Sequence, residues 1–264
     1  MKSSASSSAV AALPVATQLK SKSLLIRTGQ FFFKYRDLLS PILFITLILR
    51  TTPHWPWGDQ RFDMLLDGVG VLLVLAGQGL RAAVIGFAYI KRGGKDKQVY
   101  ADALVTEGFF AHSRNPLYVG NYLTIVGLLV IHNSPAAYVI GIAFYTLMYW
   151  TIVLAEEDFL HAKFGVEYQD YCRRVNRFVL SFKGLSKSLA GMSYDWKRFI
   201  RKEYGTTFSC LTTVLVLLAW ERYCNIGWGQ GKRSVAVLAG TWVIGLVAYV
   251  AARVCKKRGA LGRG

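Results

Sequence analysis

Three groups of residues in this chain have types and spacings that can do chemistry, and each lies where a long apolar run meets a polar segment. The first is HSRNPLYVGNY at 112–122. Pro116 suits the first turn of a helix, where its missing N–H costs nothing. Arg114, Asn115 and the open backbone amides beside His112 make that helix start receptive to an anion. Tyr118, Asn121 and Tyr122, at i, i+3 and i+4, share one face a turn deeper. The second group is Glu156–Glu157, directly after an apolar run ending at Ala155. If the helix ends there, two carboxylates meet its negative end and need a cation, either an Arg or a bound ligand. If it continues, Glu156 joins the stripe of Leu160 and Phe164, and Glu157 pairs with His161. The third is Arg173, Arg174 and Arg177 around Asn176, which suits a helix end and anionic headgroups as well as a site. Arg81 stands apart, about 14 Å inside an apolar run at 1.5 Å per residue, a depth at which a charge is costly without a purpose.

The elements that must hold these residues follow from hydropathy. Of 264 residues 53% are hydrophobic, and the mean hydropathy is +0.32, so most of the chain is expected in lipid rather than in a soluble domain. Residues 1–30 read as a disordered Ser/Ala-rich tail with no apolar core for a cleaved signal peptide. A first span and its turn occupy 31–63, with Trp and Pro at the bilayer surface. Met64–Ile90 is a second span, and Leu117–Ile131 and Ala136–Ala155 form a tight hairpin around HNSP. Over 156–178 the apolar residues recur at intervals of three and four, the stripe of one amphipathic helix lying on the surface. The stretch 91–112 reads as a loop or surface helix. Thr206–Trp220 and Val235–Ala252 supply a last pair of spans joined by a loop. The expected fold is therefore an all-α polytopic membrane bundle of about six transmembrane helices plus a cytoplasmic amphipathic helix. Its parts are 1–30, 31–63, a core at 64–180, and a basic linker with a C-terminal hairpin at 181–264.

The net charge of +17 comes from 32 Lys and Arg against 15 Asp and Glu. Divided by this layout, 26 basic residues fall in the termini and the two long loops and only 5 in the alternate loops. That asymmetry puts both termini in the cytoplasm. It also disperses the charge over four membrane-flanking segments without a binding motif, which argues against a nucleic-acid partner. Cys172, Cys210, Cys224 and Cys255 show no metal-ligand spacing, so neither zinc nor a disulfide framework is expected.

In this order the motifs resemble a known family. GFFAHSRNPLYVGN at 108–121, a hairpin, then EEDFLHAKFGVEYQDYCRRVNRF at 156–178 is similar to the signature of the isoprenylcysteine carboxyl methyltransferase and phospholipid methyltransferase superfamily. The usual pattern there is R-[HN]-P-x-Y-x-G, then E-E-x-x-L-x-x-x-F-G-x-x-Y-x-x-Y-x-x-x-V-x-R. The chain departs from it in carrying Asn115 where eukaryotic members have His, and Phe110 where Tyr is common. The resemblance, over about 64–180, implies an integral membrane enzyme that moves a methyl group from S-adenosylmethionine to a lipidic acceptor. It implies cofactor binding by His112, Arg114, Asn115, Pro116, Tyr118, Gly120, Glu156 and Glu157. Arg81, Asn121, Tyr122 and Arg174 are then expected at the acceptor, and Glu157, Arg173 and Arg177 in catalysis. Membrane lipids and a lipophilic or lipid-anchored acceptor are the expected partners, in a bacterial inner membrane or the endoplasmic reticulum. The rival readings are an NADPH-dependent reductase of the sterol reductase type, against which the acidic pair speaks, and a non-enzymatic membrane scaffold.

Overall fold

A computed structural model describes residues 15–55, 58–87, 92–95 and 98–262. Helices dominate: α1 (Val15–Arg50), α2 (Gln60–Phe87), α3 (Pro116–His132), α4 (Pro135–Phe164), α5 (Val166–Arg174), α6 (Leu185–Leu189) and α7 (Trp196–Lys257). The helical class expected from hydropathy holds, with one departure. Arg92–Lys95 (β1) and Gln98–Ala101 (β2) pair antiparallel where the sequence suggested a loop or surface helix. Among the described residues three helical segments, Gln60–Phe87, Pro135–Phe164 and Gly231–Lys257, are long and apolar enough to cross a membrane, and Pro116–His132 is a shorter apolar helix.

The centre of the bundle is the antiparallel crossing of α2 and α3. Gly70 and Gly77 on α2 meet Gly127 and Gly120 on α3, and a methyl group at Gly77 would lie 2.5 Å from the Gly120 carbonyl oxygen. At Gly127 it would lie 2.6 Å from that of Gly70. Helices in lipid gain little from hydrophobic exclusion, so close backbone approach over small residues is how they hold together. The α3–α4 connection is tight, as expected: Asn133 caps α3 in the left-handed conformation, which Asn tolerates, and Pro135 starts α4. α1 runs antiparallel to α4, with the Tyr145 hydroxyl donating to the Ser40 carbonyl at 2.7 Å. It begins at Val15, well before the expected first span; residues 1–14 of the expected tail lie outside the described residues.

Two further elements differ from expectation. α4 does not stop at Ala155; it carries Glu156 and Glu157 on to Phe164 and breaks at Gly165, whose φ of 53° is open to glycine. The amphipathic helix expected over 156–178 is thus split, with α5 ending at Arg174 and Val175 extended. Its stripe still buries Leu160, Tyr168 and Tyr171 in one cluster with Phe164 and Val175. Residues 221–234, expected as a loop, are helical, and α7 reverses at a single residue, Gly227, with φ 70° and ψ 170°. Its halves then pack against each other: Phe208 stacks on Tyr249 with centroids 4.7 Å apart, and Trp242 Nε1 donates to Thr212 Oγ1 at 3.1 Å. The first half packs on α2 and α3 through Cys210, Val214 and Leu217 against Val74, Leu128 and Ile131.

Candidate active site

The loop before α3 and the chain after α5 are zipped together, which brings the first and third sequence groups into contact. The Arg114 N–H donates to the Asn176 carbonyl at 2.9 Å, the Ser181 N–H to that of His112 at 3.0 Å, and Asn115 Nδ2 to that of Arg177 at 3.1 Å. Pro116 takes the first helical position of α3. The amides there are less free than the sequence suggested. The Asn115 N–H is taken by Ser113 Oγ, the Tyr118 N–H by the Asn115 carbonyl, and Pro116 has none to give.

Above this helix start lies a cavity of about 440 Å³, within the usual range for small-molecule clefts of roughly 300–1,000 Å³. Arg81, Arg114, Asn115, Pro116, Tyr118, Asn121 and Glu156 all line it, so α2, α3 and α4 each deliver expected residues to one place. Glu156 is buried, and the Tyr118 hydroxyl donates to its Oε1 at 2.5 Å. Behind Tyr118 stands Arg36, whose NH1 donates to the phenol oxygen at 2.8 Å and whose guanidinium covers the Phe33 ring at 4.4 Å. Arg36 and Tyr149, which also line the cavity, had no sequence signal. Arg36 lay in a basic flank indistinguishable from topology charge, and Tyr149 inside an apolar run.

The acidic pair divides its work. Glu157 does not pair with His161, whose Nε2 meets the Gln169 side chain at 3.0 Å. It takes a bidentate contact from Arg177 at 2.7 to 3.0 Å and a second cation, Arg114, at 3.1 Å. Burial works against the Arg114 charge, but Glu157 foremost, with Cys172 and Tyr168, holds its pKa above the ordinary value. Glu157 therefore closes the wall rather than facing the void. Arg177 also covers Trp150 at 5.1 Å, so its charge is already engaged.

Other expected residues lie elsewhere. Arg173 is exposed and pairs with Asp170 one turn away, and Arg174 bonds the Asp170 carbonyl; helical spacing turns both outward from the cavity. His112 is buried against Ser188 Oγ at 2.9 Å. Gly120 faces α2, where a methyl group would meet Arg81 Cγ at 2.9 Å, so its lack of a side chain serves the helix crossing. Tyr122 bonds Thr146 Oγ1 and lines a second, apolar groove of about 400 Å³ with Trp150 and Phe178. The groove and the cavity share Tyr118 and Tyr149. Arg81, costly at its depth, is held by Glu203 of α7 through contacts of 2.8 to 2.9 Å and by the Asn121 side chain. Glu203 was invisible in the sequence, because its partner is 122 residues away.

A helical bundle with spans of membrane length and a charged cavity at one end defines the class as a membrane-type helical protein with a cavity of small-molecule size. The comparisons sharpen that class. The phospholipid methyltransferase family model matches residues 67–167, and the resemblance read from the motifs at 108–121 and 156–178 is thereby borne out. A nickel-cobalt-cadmium resistance protein of Alcaligenes xylosoxydans xylosoxydans is 33% identical over 141 residues, covering 52% of this chain and 60% of that protein. The protein-S-isoprenylcysteine O-methyltransferase of Mus musculus is 30% identical over 142 residues, covering 50% and 48%. A cobalt-zinc-cadmium resistance protein of Cupriavidus metallidurans is 33% identical over 128 residues, covering 47% and 54%. The chain thus spans between 48% and 60% of the length of these relatives. No solved structure matches it.

Proposed function

We propose that the protein is an integral membrane methyltransferase that moves the methyl group of S-adenosylmethionine to a lipidic or lipid-anchored acceptor at the cytoplasmic membrane face. The observation that carries this reading is the pair of voids on either side of Tyr118 and Tyr149, one charged and one apolar. The match of residues 67–167 to the phospholipid methyltransferase family model supports the reaction class.

The residues of the cavity fit the donor. A sulfonium and an ammonium call for a carboxylate and aromatic faces, which Glu156, Tyr118 and Tyr149 offer. A carboxylate calls for a guanidinium, and Arg36 lines the cavity with its NH1 on the Tyr118 phenol, its plane over the Phe33 ring, a 3.8 Å contact to the exposed Asp37 and the Glu156 charge close enough to act on it. Asn115 Oδ1 and Arg114 Nε are buried without a partner, an acceptor and a donor that a polar ligand would satisfy. When bound, the donor supplies an activated methyl group on a good leaving group. What remains for the chain is to position both reactants and keep water out. Tyr118 and Tyr149 set the boundary between them. The apolar wall of Tyr122, Trp150 and Phe178 holds the acceptor's hydrocarbon part against its charged end. A carboxylate acceptor needs no base; an amine acceptor must lose a proton, and Glu156 is the carboxylate placed to take it. Arg177 and Glu157, paired to each other, serve by fixing the wall.

The test is binding of labelled S-adenosylmethionine to the purified protein, followed by transfer to prenylcysteine and aminophospholipid acceptors. Glu156→Gln removes the buried charge and is expected to weaken donor binding by roughly 10- to 100-fold, about 1.5–3 kcal/mol for a charged contact. Unchanged affinity in that variant overturns the site. NADPH added in the same assay is expected not to compete; competition would favour the reductase reading.

A further inference from the structure

At the end of the bundle opposite the cavity, three carboxylates converge. Asp63 and Asp67 stand one turn apart at the start of α2, and Glu221 reaches them from α7, shortly before the reversal at Gly227. One oxygen from each lies within 4.8 Å of the others. From Asp67 to Arg81 the helix rises about 21 Å at 1.5 Å per residue, so this cluster is remote from the charged cavity. Acidic residues often gather without a ligand, and the cluster by itself would mean little.

Glu221 adds a separate observation. It is 1% exposed, and among the described residues no donor group reaches either of its buried carboxylate oxygens; the side chains within hydrogen-bonding distance are the carboxyl groups of Asp63 and Asp67 themselves. Asp63 is equally buried, with Oδ2 unpartnered, while its Oδ1 accepts from Asn133 Nδ2 at 3.2 Å. Arg222 acts on Asp67 through space, yet among the described residues no Lys or Arg forms an ion pair with any of the three. Two like charges 4 Å apart repel by about 4 kcal/mol even at an effective dielectric of 20, and three repel more. Such repulsion is relieved either by protons on the acids or by a cation held among them, and the convergence of one oxygen from each side chain suits a cation.

We propose that Asp63, Asp67 and Glu221 bind one divalent cation at the membrane face opposite the cavity. The ligand set is all carboxylate oxygen, with no thiolate or imidazole, which selects the hard cations of the magnesium, calcium and manganese class over zinc or copper. The cation fastens α2 to α7 beside the Gly227 reversal. It thereby gives the C-terminal hairpin, outside the region matched by the family, an anchor on the core. This site stands whether or not the cavity transfers methyl groups.

The experiment uses the full chain purified in detergent and stripped of metal, with manganese(II) alone as the probe, followed by paramagnetic resonance. One ion per chain is expected to bind and to be displaced by calcium or magnesium. Because partners outside the coordination shell already change metal affinity by about 10- to 100-fold, loss of a ligand in Asp67→Asn or Glu221→Gln should weaken binding at least about tenfold. Chelator should lower the melting temperature of the unaltered protein and leave that of Glu221→Gln unmoved. Helical circular dichroism and elution volume check that each variant is folded; if Glu221→Gln is not, the less buried Asp67→Asn decides. No bound manganese in the unaltered protein, equal affinity in the folded variants, or a melting temperature indifferent to metal overturns the proposal, and protons shared among the acids then explain the cluster.

Discussion

The phenol of Tyr118 stands between opposite charges, accepting from Arg36 and donating to Glu156. A hydroxyl in that position fixes both the orientation of the carboxylate and the reach of the guanidinium. Tyr118→Phe keeps the ring contacts with Tyr149, whose centroid is 5.6 Å away, and removes two charge-assisted hydrogen bonds. On the proposed reading, donor affinity should fall by roughly tenfold or more, since each such bond contributes about 1.5–3 kcal/mol. Isothermal titration with S-adenosylmethionine measures it, and an unaltered dissociation constant would remove Tyr118 from the site. Spacing in the sequence was informative here to a limited depth. It put Tyr118 and Asn121 on one face of a helix begun by Pro116, because i, i+3 and i+4 relations are local. It gave no sign that Arg36, 82 residues earlier, would meet that face. Nor did it separate Glu156, which faces the void, from Glu157, which faces Arg114 and Arg177.

At the scale of elements, the α2–α3 crossing sets the geometry of the cavity, since Arg81 and Asn121 project from its two sides. A Cβ at Gly127 would lie 2.6 Å from the Gly70 carbonyl oxygen and 2.8 Å from Val74 on α2, so the crossing admits no side chain there. Gly127→Leu must therefore separate the helices or shift their register. Overpacking of this kind costs about 1–3 kcal/mol. A lower melting temperature in detergent is the expected result, together with weaker donor binding although residue 127 touches no ligand. Retained stability would show that the crossing yields more easily than its contacts imply. Long apolar runs made α2, α3 and α4 readable, and the HNSP connection made their hairpin readable. The ends were harder. Nothing in the acidic pair says that α4 continues to Phe164, because a carboxylate near a helix end is tolerated once Arg114 and Arg177 come from elsewhere. Similarly, the polar run at 221–234 looks like a loop in sequence, yet it is helical on both sides of Gly227.

For the whole molecule, the asymmetry of 26 basic residues against 5 predicts which side of the membrane each end faces, and α7 offers a direct check. Its second apolar segment, Gly231–Lys257, has 27 residues and spans about 40 Å at 1.5 Å per residue, more than the roughly 30 Å of a bilayer core. Cys224 and Cys255 are both exposed free thiols, one near the reversal and one near the far end. A membrane-impermeant thiol reagent added to sealed vesicles should label Cys224 from one side and Cys255 from the other in variants retaining only one of them. Labelling of both from the same side would rule out a crossing by the second half of α7. The outward face of that segment is apolar, with Val237, Ile244 and Val247 each more than 60% exposed, as a lipid-facing helix requires.

The shared wall of Tyr118 and Tyr149 has a kinetic consequence. If the charged cavity draws its ligand from water and the apolar groove draws its own from the bilayer, the two reactants never share a solvent. The methyl donor then has a molar concentration, but the acceptor has only a mole fraction of the surface in which the protein floats. Inert lipid or detergent added at constant total acceptor should slow turnover by surface dilution, whereas enlarging the aqueous volume at constant donor concentration should not.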